Sequence, residues 1–223
     1  DADEKLYRRS LELMGGQAER MQRLVEDLLM LARLEDSRYP LKEEPVDVPA
    51  LVHSVLAEAE GLNQGQHRLD SRIEPVRLRA SREELRSALS NLVTNAIRYT
   101  PAGGDILVTW GLEGGEATLR VRDNGEGISP EHIPRLTERF YRIDDDLSRR
   151  HRGTGLGLAI VKHIVSRHRA RLSIDSRPGA GDALRHEIAV PKRLAPGPPH
   201  PQPPSPPRRA RPSARGWRWL TMA

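Results

Sequence analysis

Three short stretches hold side chains and glycines from which chemistry can be built. Asp123-Asn-Gly-Glu-Gly-Ile128 follows an alternating run, Ala117 to Arg122, in which apolar and polar residues trade places at the period of a half-buried strand. Such a strand delivers Asp123 to a rim. There its carboxylate can accept a hydrogen bond from an exocyclic amine, and Gly125 and Gly127 let the backbone turn or a flat ligand approach. Taken alone, the hexapeptide would serve equally as an Asn-Gly turn closing a hairpin. Asn91 and Asn95 stand four residues apart in a helical stretch, so both amides point the same way, and amide oxygens suit a hard cation such as Mg2+. Gly153-Thr-Gly-Leu-Gly-Leu158 precedes a run of helical periodicity, and glycines opening a helix present unpaired N–H groups to an anion. Carboxylate for adenine, amide oxygen for metal and N–H groups for phosphate together describe Mg-ATP. Two other glycine-rich schemes fail on spacing. The phosphate loop G-x-x-x-x-G-K-[ST] is absent, and Gly153 follows the charged run Ser148 to Arg152 rather than the strand that a dinucleotide-binding G-x-G-x-x-G requires.

The elements that must position these groups can be read in outline. Residues 4–36 form one long helix without proline. Its heptad-like seam is Tyr7, Leu11, Met14, Ala18, Met21, Val25, Leu28 and Ala32, widened by Leu24, Leu29, Leu31 and Leu34. A stripe that wide wants more than one neighbour, as in a four-helix bundle, and no partner for it is evident in this chain. Gly15-Gly16 is its weak point. Pro40, Pro45 and Pro49 mark a linker or edge strand, followed by a helix over 48–60 and short strands near 67–73 and 76–79. A helix begins at Ser81, where Ser81 and Glu84 make a capping box. Leu85, Ala88, Leu89, Leu92, Val93, Ala96 and Ile97 form its buried stripe. A hairpin over 105–112 and 116–123 turns at Gly114-Gly115. After Gly153–Leu158 comes a helix over 159–167, and a last hairpin pairs 171–175 with 183–190 around Gly179-Ala-Gly181. From Leu194 onward proline and arginine dominate, the composition of an extended, disordered tail.

Composition narrows the function classes. The chain has 223 residues, 37% hydrophobic and 30% charged, which suits a globular domain with additions. There is no cysteine, so disulfides and thiolate metal sites are excluded. No run approaches the roughly 18 apolar residues of a membrane span. The net charge of +5 lies in the tail: without residues 194–223 the chain holds 31 basic and 31 acidic residues, so the pI of about 9.9 does not argue for nucleic-acid binding.

These stretches resemble one known family. Asn91-Leu-Val-Thr-Asn95-Ala-Ile-Arg-Tyr-Thr-Pro101 is similar to the N box of sensor histidine kinases, and Asp123 to Ile128 to their G1 box. Thr137-Glu-Arg-Phe-Tyr-Arg142 is similar to the F box and Gly153 to Leu158 to the G2 box, all four in the family's order over residues 40–193. Within the family, Ile133 to Asp144 most resembles the phosphate-regulon sensor kinases. The resemblance implies an α+β fold, a Bergerat-type two-layer α/β sandwich, preceded by one long helix of a four-helix dimerisation bundle. It divides the chain into the second helix of a dimerisation and phosphotransfer hairpin (1–38, with Arg23 to Leu29 as its marker), a linker (39–49), the ATP-binding catalytic domain (50–193) and the tail (194–223).

By that resemblance Asn95 ligates Mg2+ and Asn91 assists at the metal or orients the nucleophile. Tyr99 packs on the adenine side, Arg98 replaces the customary Lys near the phosphates, and Arg142 contacts phosphate. Asp123, Gly125, Gly127, Ile128, Gly153, Thr154, Gly155, Leu156 and Gly157 complete the ATP-binding set. The implied reaction moves the γ-phosphoryl of Mg-ATP to a histidine and then to an aspartate on a response regulator receiver domain. The implied setting is cytoplasmic, with a homodimer formed through the N-terminal helix and a membrane reached only through segments outside this sequence. The family's acceptor histidine sits in an H-E-x-x-x-P box on the hairpin's first helix, which residues 1–38 do not supply. The one literal match, His186 to Pro191, alternates like a strand, and the remaining histidines are expected at the surface. The chain is therefore expected to bind Mg-ATP without phosphorylating itself. Two other readings remain: a gyrase- or chaperone-type ATPase of the same superfold, and a non-catalytic module whose helix pairs with a partner.

Overall fold

The computed structural model of the chain describes residues 2–143, 153–176 and 184–190. In chain order the elements are α1 (Ala2–Glu35), β1 (Glu44–Asp47), α2 (Val48–Asn63), β2 (Arg68–Ile73), β3 (Arg77–Ala80) and α3 (Arg82–Tyr99). They continue with β4 (Asp105–Glu113), β5 (Glu116–Asp123), a single 3-10 turn at Ile133–Arg135, α4 (Gly157–Arg167), β6 (Arg171–Ser176) and β7 (Leu184–Val190). The turn at Gly179 to Gly181 and the tail from 194 fall outside the described residues.

Alternation in the strands builds the inner face of a mixed sheet, in the order β2-β4-β5-β7-β6. Among the described residues β2 and β4 run parallel and the other pairs are antiparallel. Register places Val108 opposite Val121 and Trp110 opposite Leu119, and each of these is buried. Ala117, Leu119, Val121 and Asp123 therefore share the inward side of β5, with the carboxylate at its end. Over this face pack Leu51, Val52 and Val55 from α2, Leu85, Leu89 and Leu92 from α3, and Ile160, Val161 and Ile164 from α4. The result is the two-layer α/β sandwich that the motifs imply. β1 and β3 form a separate antiparallel pair. Asp47 caps α2 by accepting from the Ala50 N–H at 3.0 Å.

Ser81 caps α3 as its sequence suggests, accepting the Glu84 N–H at 3.3 Å. The reciprocal half of the box is replaced. The Ser81 N–H donates instead to His168 Nε2 at 3.1 Å, and the Glu84 carboxylate accepts from the Arg167 guanidinium at 3.3 Å. The end of α4 lies against the start of α3, so a guanidinium is at hand, and a charge-assisted bond displaces an amide one.

Two histidines depart from the surface placement expected of them, while His53 is exposed as expected. His67 is 8% exposed. Its Nδ1 lies 2.8 Å from Asn63 Oδ1 and its Nε2 lies 2.8 Å from the Thr100 carbonyl oxygen, so it ties the α2–β2 turn to the end of α3. His168 is likewise part of the fold, through Ser81. Both contacts join elements distant in sequence, which local pattern cannot show. His186 lies in β7, paired with Val121 and Ile174, so the literal H-E-x-x-x-P match is a strand.

α1 runs unbroken through Gly15-Gly16, around which no other atoms crowd. It does find neighbours within this chain, contrary to expectation. Leu31 and Leu34 are 2% and 6% exposed within the main core, and Leu24 packs against it. By contrast Tyr7, Leu11, Met14, Met21, Val25 and Leu28, the seam itself, stay exposed.

Candidate functional site

One cavity of about 260 Å3 opens where α3, the end of β5, the segment ending at Ile143 and the start of α4 converge. Asn91, Asn95, Arg98, Tyr99, Asp123, Gly127, Ile128, Arg142, Gly153, Thr154, Gly155 and Gly157 all line it. Of the residues singled out from sequence, Gly125 and Leu156 are not on its wall. Gly125 lies behind Asp123, where a Cβ would stand 2.6 Å from the Tyr99 carbonyl oxygen, so only glycine lets this loop cross the end of α3. Leu156 is fully buried and belongs to the core.

Asp123 is 3% exposed. Its Oδ1 accepts the Gly125 N–H at 3.0 Å, while Oδ2 is buried with no hydrogen-bond partner. Burial pushes its carboxyl up to about 6, against the opposing pull of the Gly125 N–H. An unanswered buried acceptor is costly, and one at a cavity wall asks for a donor from a ligand, such as an exocyclic amine. The loop after it is fixed at both ends. Asn124 Oδ1 accepts the Asp105 N–H at 2.7 Å, and the Ile128 N–H donates to Ser176 Oγ at 2.8 Å. Gly127 has φ +79°, a left-handed conformation suited to glycine.

Elsewhere on the cavity wall, glycines open α4 and bring three segments together. A Cβ at Gly157 would lie 2.6 Å from Asn91 Oδ1, so the glycine lets that amide rest against the first turn. Asn91 Nδ2 donates to the Ser87 carbonyl at 3.0 Å, which fixes the amide's direction. Gly155, at φ +73°, accepts the Phe140 N–H at 2.9 Å, and its own Cβ would strike the Phe140 backbone. Arg98 adds positive charge, although burial, reinforced by nearby Arg23, draws its guanidinium below the ordinary arginine range. Tyr141 also lines the cavity. Its hydroxyl lies 2.7 Å from His132 Nδ1, and the Arg135 guanidinium lies 4.2 Å over its ring.

The sequence reading missed the contribution of α1. Arg20, Arg23 and Asp27 reach the same cavity. They follow an i, i+3, i+7 spacing, one charged stripe of the helix, and that stripe was the available signal. Asp27 accepts from the Thr154 hydroxyl at 2.7 Å, and burial raises its carboxyl above the usual range. Among the described residues no cluster of three acidic, histidine or cysteine side chains could hold a metal alone. The donor set fits Mg2+ bound jointly with phosphates, since that ion commonly takes one or two protein oxygens and completes its shell with water and substrate.

Residues 80–192 match the family described as histidine kinase-, DNA gyrase B- and HSP90-like ATPase. The chain belongs to that family. Over 183 residues it is 50% identical to the phosphate regulon sensor protein PhoR of Pseudomonas aeruginosa, and over 190 residues 35% identical to PhoR of Haemophilus influenzae. These alignments cover 81% and 85% of this chain but 41% and 44% of the relatives, so it spans less than half of their length. Among solved structures, the mycobacterial sensor histidine kinase MprB aligns with a TM-score of 0.60 at 28% identity, over 69% of this chain and 99% of that one. Full-length ShkA, determined in complex with AMPPNP, aligns with a TM-score of 0.69 at 26% identity, over 81% of this chain and 37% of that one. The resemblance to sensor histidine kinases, and to phosphate-regulon sensors among them, is thus borne out. Among the described residues no helix is long and apolar enough to cross a membrane.

Proposed function

We propose that this chain binds Mg-ATP and acts as the catalytic part of a phosphate-regulon-type sensor histidine kinase. It would deliver the γ-phosphoryl group to a histidine outside residues 1–38, for onward transfer to a response-regulator aspartate. The observation that carries this reading is the unpartnered, buried Asp123 Oδ2 on the wall of a cavity that Arg98, Arg142 and a glycine-opened helix also line. A purine with an exocyclic amine and an anionic tail matches that polarity. In this scheme Asp123 accepts the amine, Tyr99 flanks the base, and Arg98, Arg142 and the N–H groups at Gly153–Gly157 neutralise phosphate. Asn95 supplies a side-chain oxygen to Mg2+, and Asn91, held by Ser87, orients the reacting end. Bound Mg2+ would spread the charge that develops on the transferred group. Asn91 carries no carboxylate to activate water, which disfavours the gyrase-type hydrolase. The domain division at 1–38, 39–49, 50–193 and 194–223 remains part of this proposal, as do the response regulator as partner and dimerisation through the exposed seam of α1.

The test is competition of ATP and GTP for a fluorescent ATP analogue. Asp123→Asn should cost about 1.5–3 kcal/mol of ATP affinity and erode the preference over GTP. Unchanged binding would reduce Asp123 to a turn residue. With γ-labelled ATP, no acid-labile label is expected on His186, because its strand pairs on both sides within the sheet.

A further inference from the structure

Thr154 makes the contact that the nucleotide scheme leaves unexplained. Its hydroxyl donates to Asp27 Oδ2 at 2.7 Å and accepts the Leu156 N–H at 3.3 Å. A hydroxyl has one proton to give, and here α1 takes it. This is not a loose surface pair, because α1 is fastened on the same side by several independent contacts. Leu31 and Leu34 are buried against the catalytic core. Glu35 pairs with Arg139, and His163 Nε2 lies 3.2 Å from the same carboxylate. Arg167 donates to the carbonyls of Leu34 at 3.4 Å and Tyr39 at 3.1 Å.

Thr154 also lies within the stretch that would face the phosphates. An arriving phosphate oxygen needs donors and positive surroundings, whereas Asp27 removes a donor and brings like charge into a partly desolvated space. Arg20 and Arg23, on the same stripe, act in the opposite sense, so α1 presents both an attraction and a barrier. We propose that Asp27 is a positioning residue that stands in for a phosphate oxygen at Thr154. The docked helix holds the start of α4 through it, and a nucleoside triphosphate must displace it to bind fully. This rests on the Mg-ATP reading above and adds to it a direct mechanical link: α1 distinguishes a nucleotide with its phosphates from the bare nucleoside, because only the former competes for Thr154.

Asp27→Asn separates charge from shape, since the amide oxygen can still accept from Thr154. In calorimetry it should tighten ATP about tenfold, the scale of one charge-assisted hydrogen bond, and leave adenosine unchanged. Glu19→Gln makes the same charge change at an exposed position of α1 and should leave ATP affinity within about twofold. A second readout does not depend on affinity. The chain has no cysteine, so spin labels at Leu29→Cys and Leu112→Cys, both exposed positions, report α1 against the sheet without background. ATP should shift or broaden that distance, and adenosine should not. Unchanged or weaker ATP binding in Asp27→Asn, or an equal shift with adenosine, overturns the inference while leaving the nucleotide site standing. Failure of the unmodified chain to bind either ligand overturns both.

Discussion

α1 and α3 are both amphipathic helices, and the structure treats them in opposite ways. The apolar stripe of α3 is buried from Leu85 to Ile97, whereas the seam of α1 from Tyr7 to Leu28 stays exposed and Leu24, Met30, Leu31 and Leu34 dock. The difference lies in what each helix must do. α3 has a sheet across its apolar face and the cavity along its polar one, so its stripe is a core and its asparagines a wall. α1 uses one edge of a broad stripe to reach the catalytic layer, presents Arg20, Arg23 and Asp27 to the cavity, and leaves the rest of its seam exposed. Periodicity reports that a face is apolar; it does not report which neighbour covers it.

The contrast can be broken by truncating each helix in turn. Leu92→Ala in α3 removes a fully buried side chain and should cost about 2–5 kcal/mol in denaturant unfolding. A loss below 1 kcal/mol would mean that the α3 stripe is not a packed core. Leu31→Ala should cost less globally, about 1–3 kcal/mol, but should expose α1 to limited proteolysis at protease levels that spare the sheet. Uniform protection would show that α1 docks by other means. Val25→Ala, on the open seam, should change monomer stability by no more than about 0.5 kcal/mol while weakening self-association, seen by sedimentation.

A pH effect sharpens the same comparison, since the larger carboxyl shift lies at the end of β5, with Asp27 of α1 raised in the same direction. The Asp123 carboxyl is held up to about 6, above the 3.8 of an exposed one. Between those values the folded chain binds the proton more readily than the unfolded chain. The stability this group contributes is therefore full below about pH 4 and is lost as pH rises through 6. Ligand binding runs the other way if the amine needs an ionised acceptor, so ATP affinity should climb over the same window. Melts and titrations across it check both slopes, and Asp123→Asn should lose this group's share of each while keeping that of Asp27.

Much of this was legible in the sequence because it is local. The alternation into Asp123, the Asn91 and Asn95 spacing and the glycines before α4 each lie within a few residues, and the fold brings them to one wall. The fixed points it left out come from chain distances that no pattern spans: His168 capping Ser81, His67 tying Asn63 to Thr100, and Asp27 reaching Thr154. Gly125 and Leu156 were read as part of a contiguous box. Their true surroundings, a backbone crossing and a core, depend on how the box sits in three dimensions.

The central claim is that a Mg2+-bound nucleotide spans the cavity from Asp123 to α4. Calorimetry of ATP and adenosine, each with and without Mg2+, on the unmodified chain and on Asn95→Ala tests it most directly. Asn95→Ala should lose most of the Mg2+-dependent gain in ATP affinity and keep adenosine binding nearly intact, since the base is held at the other end by Asp123. If Mg2+ tightened ATP equally in both proteins, the glycine-opened helix alone would be holding the phosphates and Asn95 would have no place in the site.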